Sequence, residues 1–269
     1  MQSALDKLAP PPAPAPAPAE ALVPAVSRAV RLLERLARQR QPMSSSMLAA
    51  ELSLPRSSVH GLCNTLLHHG LLRRQGDGSF LIGSGVMNLA QAFVADTNVT
   101  QEFGEMWRDI GQSPDESIVL SVLDGTDSVY VAVRNSLRPL GLAFNVGMRL
   151  PAHLTGTGKA ILAWLPRRTL EALLPDRALT RLTEHGPRTT DELHVELEAI
   201  RGRGYSVDDE CVRRGVLSFG APVFDASGAV VAGIGMCINK AQLAPDGSDT
   251  HHEAVMRVAY TLSARLGAR

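Results

Sequence analysis

An α+β protein in two parts is what this sequence predicts, and three observations predict it. At 269 residues the chain exceeds one average domain and suits two. Helical periodicity dominates from Val26 to about Ile110, and strands and helices in separate groups fill the rest. Charge divides the same way. Between Val26 and Gly83 eight arginines face three acids, a surplus of five positive charges, whereas from Ser84 onward 22 acids outnumber 18 bases. A basic head on a mildly acidic body is expected when only the head meets phosphate.

The elements follow in order. Residues 10–24 read PPPAPAPAPAEALVP, so 1–24 are expected to be a disordered Pro-Ala tail. From Val26, Ala29, Val30, Leu32, Leu33 and Leu36 recur at helical spacing until Gln41-Pro42. Ser44-Ser45-Ser46 offers N-caps to a second helix through Leu52, and Pro55 opens a third that carries Val59, Leu62, Cys63, Leu66 and Leu67 up to Gly70. Leu71–Gln75 and Ser79–Ile82, split by Gly76-Asp77-Gly78, make a hairpin. Helix, helix, turn, helix, hairpin is the order of a winged helix-turn-helix, assigned to 25–83. A linker helix (84–112) is expected next. Over 113–269 strands are expected at Ser117–Leu123, Ser128–Val133, Gly141–Phe144, Tyr205–Asp208, Leu217–Val223 and Ala229–Cys237. Helices are expected at Thr157–Leu165, Arg168–Leu174, Asp191–Arg203 and His251–Leu266. That grouping suggests an antiparallel sheet in a GAF/PAS-like α+β domain.

Cys63, Cys211 and Cys237 have no paired spacing, so neither a disulfide framework nor a zinc finger is suggested, and a reducing cytoplasm fits. No apolar run of about 20 residues argues for a membrane span. On the third helix, inward Val59, Leu62, Cys63 and Leu66 turn Ser57, Ser58, His60, Gly61, Asn64 and Thr65 outward. Arg56, Ser57 and Ser58 lie at its N-terminus, where backbone N–H groups favour phosphate. Asn64 could read adenine and Arg56 guanine, or either could hold phosphate. Ser45 on the second helix and Arg73 and Arg74 on the wing complete the DNA-binding candidates.

Leu54-Pro55-Arg56-Ser57-Ser58-Val59-His60, with Leu66 and His69-Gly70, resembles the recognition helix of IclR-type transcriptional regulators. So do Leu150–Thr155 leading to Gly158–Leu162, Gly202–Glu210 with Gly215-Val216, and Ala221–Asp225. The resemblance spans residues 25 to 268. It implies a cytoplasmic homodimer or homotetramer that binds double-stranded DNA at a palindromic operator and answers to a small metabolite. It departs from the family pattern at Gly61, where a basic residue is usual, and at Ser218, Gly235 and Cys237, where cysteine, serine and serine are common. These positions bear on target sequence and ligand.

The resemblance places an effector near Thr155-Gly156-Thr157-Gly158, a helix start whose N–H groups suit a carboxylate. Phe144, Val146 and Met148 would be apolar walls, and Asp208, Asp209, Ser218, Gly235 and Cys237 would complete the pocket. A donor-rich end with apolar walls suits a small organic acid, aromatic acids included, and glycine at 235 leaves room. The alternative is a hydrolase-like or metal-binding enzyme domain fused to the winged helix. His153, Asp208, Asp209 and Cys211 invite it, and a zinc site of His153 with Cys211 or Cys237 stays open. Yet neither His-Glu-x-x-His nor Gly-x-Ser-x-Gly occurs, so no catalytic residue, metal or cofactor is assigned.

Overall fold

A computed structural model describes residues 23–94, 98–110, 115–138, 141–174, 178–243 and 248–268. The Pro-Ala tail up to residue 22 lies outside them. Contacts divide the chain into two units, the division falling between residues 96 and 97.

In the first unit α1 (Pro24–Gln39) starts on proline, where a missing N–H is harmless, and ends at Arg40 in the left-handed region. Ser44 caps α2 (Ser45–Leu52) by accepting from the Met47 N–H at 3.2 Å. Pro55 stands immediately before α3 (Arg56–His68), whose inner face buries Val59, Cys63 and Leu66. These meet Leu32, Leu36, Leu48, Leu72 and Phe80 in one core. Strands β1 (Leu72–Arg74) and β2 (Phe80–Ile82) pair antiparallel, and Met43 exchanges two backbone bonds with Phe80 as a third rung. Asp77 accepts from the Ser79 N–H at 2.9 Å and shapes the turn between the strands. Where one linker helix is expected there are two, α4 (Gly85–Val94) and α5 (Val99–Ile110). Asn98, just ahead of α5, has φ 51°, a left-handed conformation that no α-helix continues through.

The second unit holds a six-stranded antiparallel sheet in the order β5-β4-β3-β8-β7-β6. Its strands are β3 (Ser117–Asp124), β4 (Asp127–Arg134), β5 (Arg149–Pro151), β6 (Ser206–Asp209), β7 (Val216–Phe224) and β8 (Val230–Asn239). The strand expected at Gly141–Phe144 does not form. The side chain of Asn135 does the work of a strand partner there: the Phe144 N–H donates to its Oδ1 at 2.8 Å and its Nδ2 donates to the Phe144 carbonyl at 3.1 Å. The edge strand is β5 instead, closed by Pro151.

Both faces of the sheet are covered, which is why β7 and β8 are buried almost throughout. On one face lie α5 and α9 (Ser248–Arg265), with His251 of α9 stacked on Phe219. On the other lies α6 (Gly156–Leu162), buried at every residue, with α7 (Arg167–Leu173) and α8 (Thr190–Arg203) closing a second core of Leu162, Leu170, Leu193, Leu197 and Ile200. The α6 backbone can reach the sheet because the strands carry glycine beneath it. A side-chain carbon on Gly220 would stand 2.2 Å from the Gly156 carbonyl oxygen.

Candidate functional site

Two surfaces gather the candidate residues. On α3 the residues Arg56, Ser57, His60, Gly61 and Asn64 are exposed, while Ser58 is half-buried. Asn64 Nδ2 donates to His60 Nε2 at 3.1 Å, and the Thr65 hydroxyl turns back to the Gly61 carbonyl at 3.0 Å. Ser45 is the first residue of α2; its neighbour Ser44 makes the cap. The wing arginines separate. Arg74 faces Phe80 across the hairpin and lies over its ring, 5.7 Å from the centroid, whereas Arg73 pairs with Leu81 and points to the opposite side. Burial pushes the Cys63 thiol behind α3 up to about 11, so it is a packing residue.

The second surface is the α6 side of the sheet. Alternation along each strand brings Asp208, Ser218, Cys237, Val119 and Tyr130 to this face. Ser218 is paired in register with both Asp208 and Cys237. Val119, Tyr130, Leu150 and Cys237 form an apolar cluster, with Phe144, Met148, Leu142 and Val212 packed against it. The Tyr130 and Phe144 rings meet edge-on at 5.8 Å. Asp208 is only 4% exposed and accepts from the Cys211 N–H at 2.8 Å. Burial pushes its carboxyl up to about 6, against the pull of Lys159. The same burial holds the Cys237 thiol and Tyr130 hydroxyl protonated, with Asp208 adding to both.

Several expected members stand elsewhere. Val146 is 66% exposed at the tip of a tight turn, because Gly147 at φ 85° reverses the chain between Phe144 and Met148. Asp209 points out of the sheet by the two-residue alternation and pairs with Lys240 at 2.7 Å. The room at Gly235 is taken by protein, since a side-chain carbon there would lie 2.6 Å from the Thr157 methyl. The N–H groups of the Thr155–Gly158 turn are not all open to a carboxylate, because Thr155 caps Gly158 at 2.9 Å. Thr157 binds Ser128 at 2.9 Å, which donates to Ser121 at 2.8 Å, and Gly156 and Gly158 fit against Ser218 and Ala152.

Two residues escaped the sequence reading. Tyr130 looked like one more strand residue, and its only signal was its place in the alternation. Lys159 is 1% exposed and donates to Glu196 on α8 at 2.6 Å and to the Val207 carbonyl on β6. Its signal was the absence of any polar face on the helix that carries it. His153 is buried with Nε2 against the Thr180 carbonyl at 2.8 Å; burial lowers its pKa and leaves Nδ1 unpartnered. Among the described residues no group of three or more His, Cys, Asp or Glu could hold a metal ion, and no helix is long and apolar enough to cross a membrane.

Comparison with known proteins bears on both surfaces. Residues 25–76 match a family model described as the IclR helix-turn-helix domain, and residues 91–264 match one described as the bacterial transcriptional regulator IclR C-terminal domain. The transcriptional repressor AllR of Klebsiella pneumoniae is 27% identical over 249 residues, 91% of this chain and 90% of that protein. The crystal structure of the Agobacterium tumefaciens repressor BlcR is 34% identical, covers 92% of this chain and 98% of its own, and has a TM-score of 0.58. An IclR homologue of Microbacterium hydrocarbonoxydans, solved with 4-hydroxybenzoate, has a TM-score of 0.76 at 21% identity, covering 90% of this chain and 98% of its own.

Proposed function

Because the chain belongs to the IclR family of bacterial transcriptional regulators, we propose that it works in the cytoplasm as a homodimer or homotetramer on a palindromic operator, switched by a small organic acid. It is a DNA-binding transcriptional regulator with a C-terminal effector-binding domain, not an enzyme. In the proposal residues 25–83 read DNA, 84–112 join and 113–269 sense. One winged helix contacts too few base pairs for useful specificity, which favours a paired arrangement. Val26 and Val30 on α1 and Met87 and Leu89 on α4 are exposed apolar residues suited to a partner copy.

The sensing half rests on one observation, the Tyr130–Phe144 ring pair beside buried Asp208, Ser218 and Cys237. Aromatic rings beside a few polar groups suit an aromatic acid, and a homologue carries one. A thermal-shift screen with benzoate, 4-hydroxybenzoate and short 2-oxo acids, followed by DNA-binding titrations, tests this. An acid that raises the melting temperature should also change operator affinity; stabilisation with unchanged affinity defeats the reading.

On the DNA side, Arg73→Ala is expected to weaken binding to every sequence and flatten the log affinity against log salt slope by about one. Arg74→Ala should leave most of that slope and instead cost about 0.5–1 kcal/mol of wing stability, through the lost contact over Phe80. Anisotropy titrations at several salt concentrations separate the two; equal slope changes would refute the assignment of opposite faces.

A further inference from the structure

Resting on the reading that α3 enters the major groove, we propose that Asn64 reads an adenine and that His60 is the positioning residue that fixes its amide for the task. The two side chains are exposed and four residues apart, so they lie one above the other on the outward face of the helix. One Asn64 amide hydrogen is donated to His60 Nε2 at 3.1 Å, which leaves the imidazole proton on Nδ1. An asparagine amide has two hydrogens. One lies on the same side as its carbonyl oxygen and the other points away. The bidentate match to adenine uses the oxygen, which accepts from N6, together with the hydrogen on its own side, which donates to N7. The remaining hydrogen has no role in that match, and it is the one that a neighbour such as His60 can hold. Pinning it sets the rotation of the amide plane before DNA arrives. Less rotamer freedom is then lost on contact.

The surroundings support the division of labour. Thr65, next along the face, spends its hydroxyl on the Gly61 carbonyl at 3.0 Å and offers no competing donor to the groove. Gly61 lies between His60 and Asn64 in sequence, and a side-chain carbon there would meet nothing within 4 Å, so no bulk props this part of the helix away from base edges. His60 keeps its Nδ1 proton for a phosphate or base acceptor.

Selection from a random double-stranded DNA pool with the full chain and its Asn64→Ala, His60→Ala and His60→Gln variants tests the assignment. The parent is expected to enrich a motif with one strongly preferred adenine. Asn64→Ala should lower the preference for that adenine about ten- to hundredfold, the range of a good bidentate pair. His60→Ala should lower it several-fold at the same base pair. His60→Gln, which supplies an acceptor at the same spacing, should restore it. If Asn64→Ala enriches the parent's motif, or His60→Ala keeps the parent's preference, the inference falls while DNA reading by α3 stands. If the parent enriches no motif, both fall.

Discussion

Replacing Lys159 with alanine is expected to destabilise the C-terminal unit by about 3 kcal/mol, because the change breaks a buried ion pair from one side. The Lys159 ammonium is fully enclosed and ties α6 to Glu196 on α8 and to the Val207 carbonyl on β6. Glu196 keeps 28% of its side chain exposed and can recover some hydration, which holds the loss near the lower end of what such breaks cost. Removing the pair together, as Lys159→Met with Glu196→Gln, should recover part of that stability, and more of it at pH 5, where the Asp208 carboxyl is protonated, than at pH 8. Both tryptophans, Trp107 and Trp164, belong to this unit, so urea unfolding followed by their fluorescence reports on it. A single-variant loss below about 1 kcal/mol would show that the pair carries no stability.

The loss should also depend on pH. Asp208 has its carboxyl raised by burial, so the folded state holds this proton more tightly than the unfolded chain. That contribution is fully present below about pH 4, the unfolded value, and is lost as pH rises through the folded value near 6. Lys159 is the charge that restrains the rise, and its removal lifts the carboxyl further. The variant should therefore lose less at pH 5 than at pH 8, and a flat difference would mean that Asp208 does not feel the lysine.

Gly220→Ala should be as damaging for a purely steric reason. The new carbon would lie 2.2 Å from the Gly156 carbonyl oxygen, 2.3 Å from its carbon and 2.6 Å from the Ser206 hydroxyl oxygen. Two of these three atoms are backbone, and no rotamer change removes them. A loss of about 3 kcal/mol or more is expected, at or beyond the upper end for overpacked cores. Gly104→Ala on α5 is the control. Nothing lies within 4 Å of its would-be side chain, so it should gain up to about 1 kcal/mol from helix propensity. The same fluorescence titration reads both, and equal effects would undo the close-approach argument.

The sequence made the winged helix legible because its local signals agree with one another: Ser44 caps, Pro55 breaks, the α3 apolar stripe and the Gly-rich turn all point to one order. It made β3, β4, β7 and β8 legible through their β-branched runs and turn residues. The misses share a cause, which is that a distant partner overrides a local pattern. Gly141–Phe144 has the look of a strand, but Asn135 supplies its bonds from a side chain. Arg149–Pro151 is too short and ends too awkwardly to announce itself, and the sheet edge makes it a strand. Asp208 and Asp209 are equivalent on paper and separate only once the strand fixes which face each takes. Lys159 reads as a solvent residue because no local rule reveals that α6 has no solvent side.

A helix buried on every side, as α6 is, is mechanically stiff. A helix with one wet face can yield to a push by tilting into water, and the displacement dies within a turn. The segment Gly156–Leu162 has no such slack: its carbonyls rest on glycine backbone, its hydroxyl is braced through Ser128 to Ser121, and its lysine is anchored at two points. Close-packed matter of this kind is nearly incompressible. Any movement forced on Thr157 is carried by β3, β4 and β8 together, as a load on a keystone is carried by its arch.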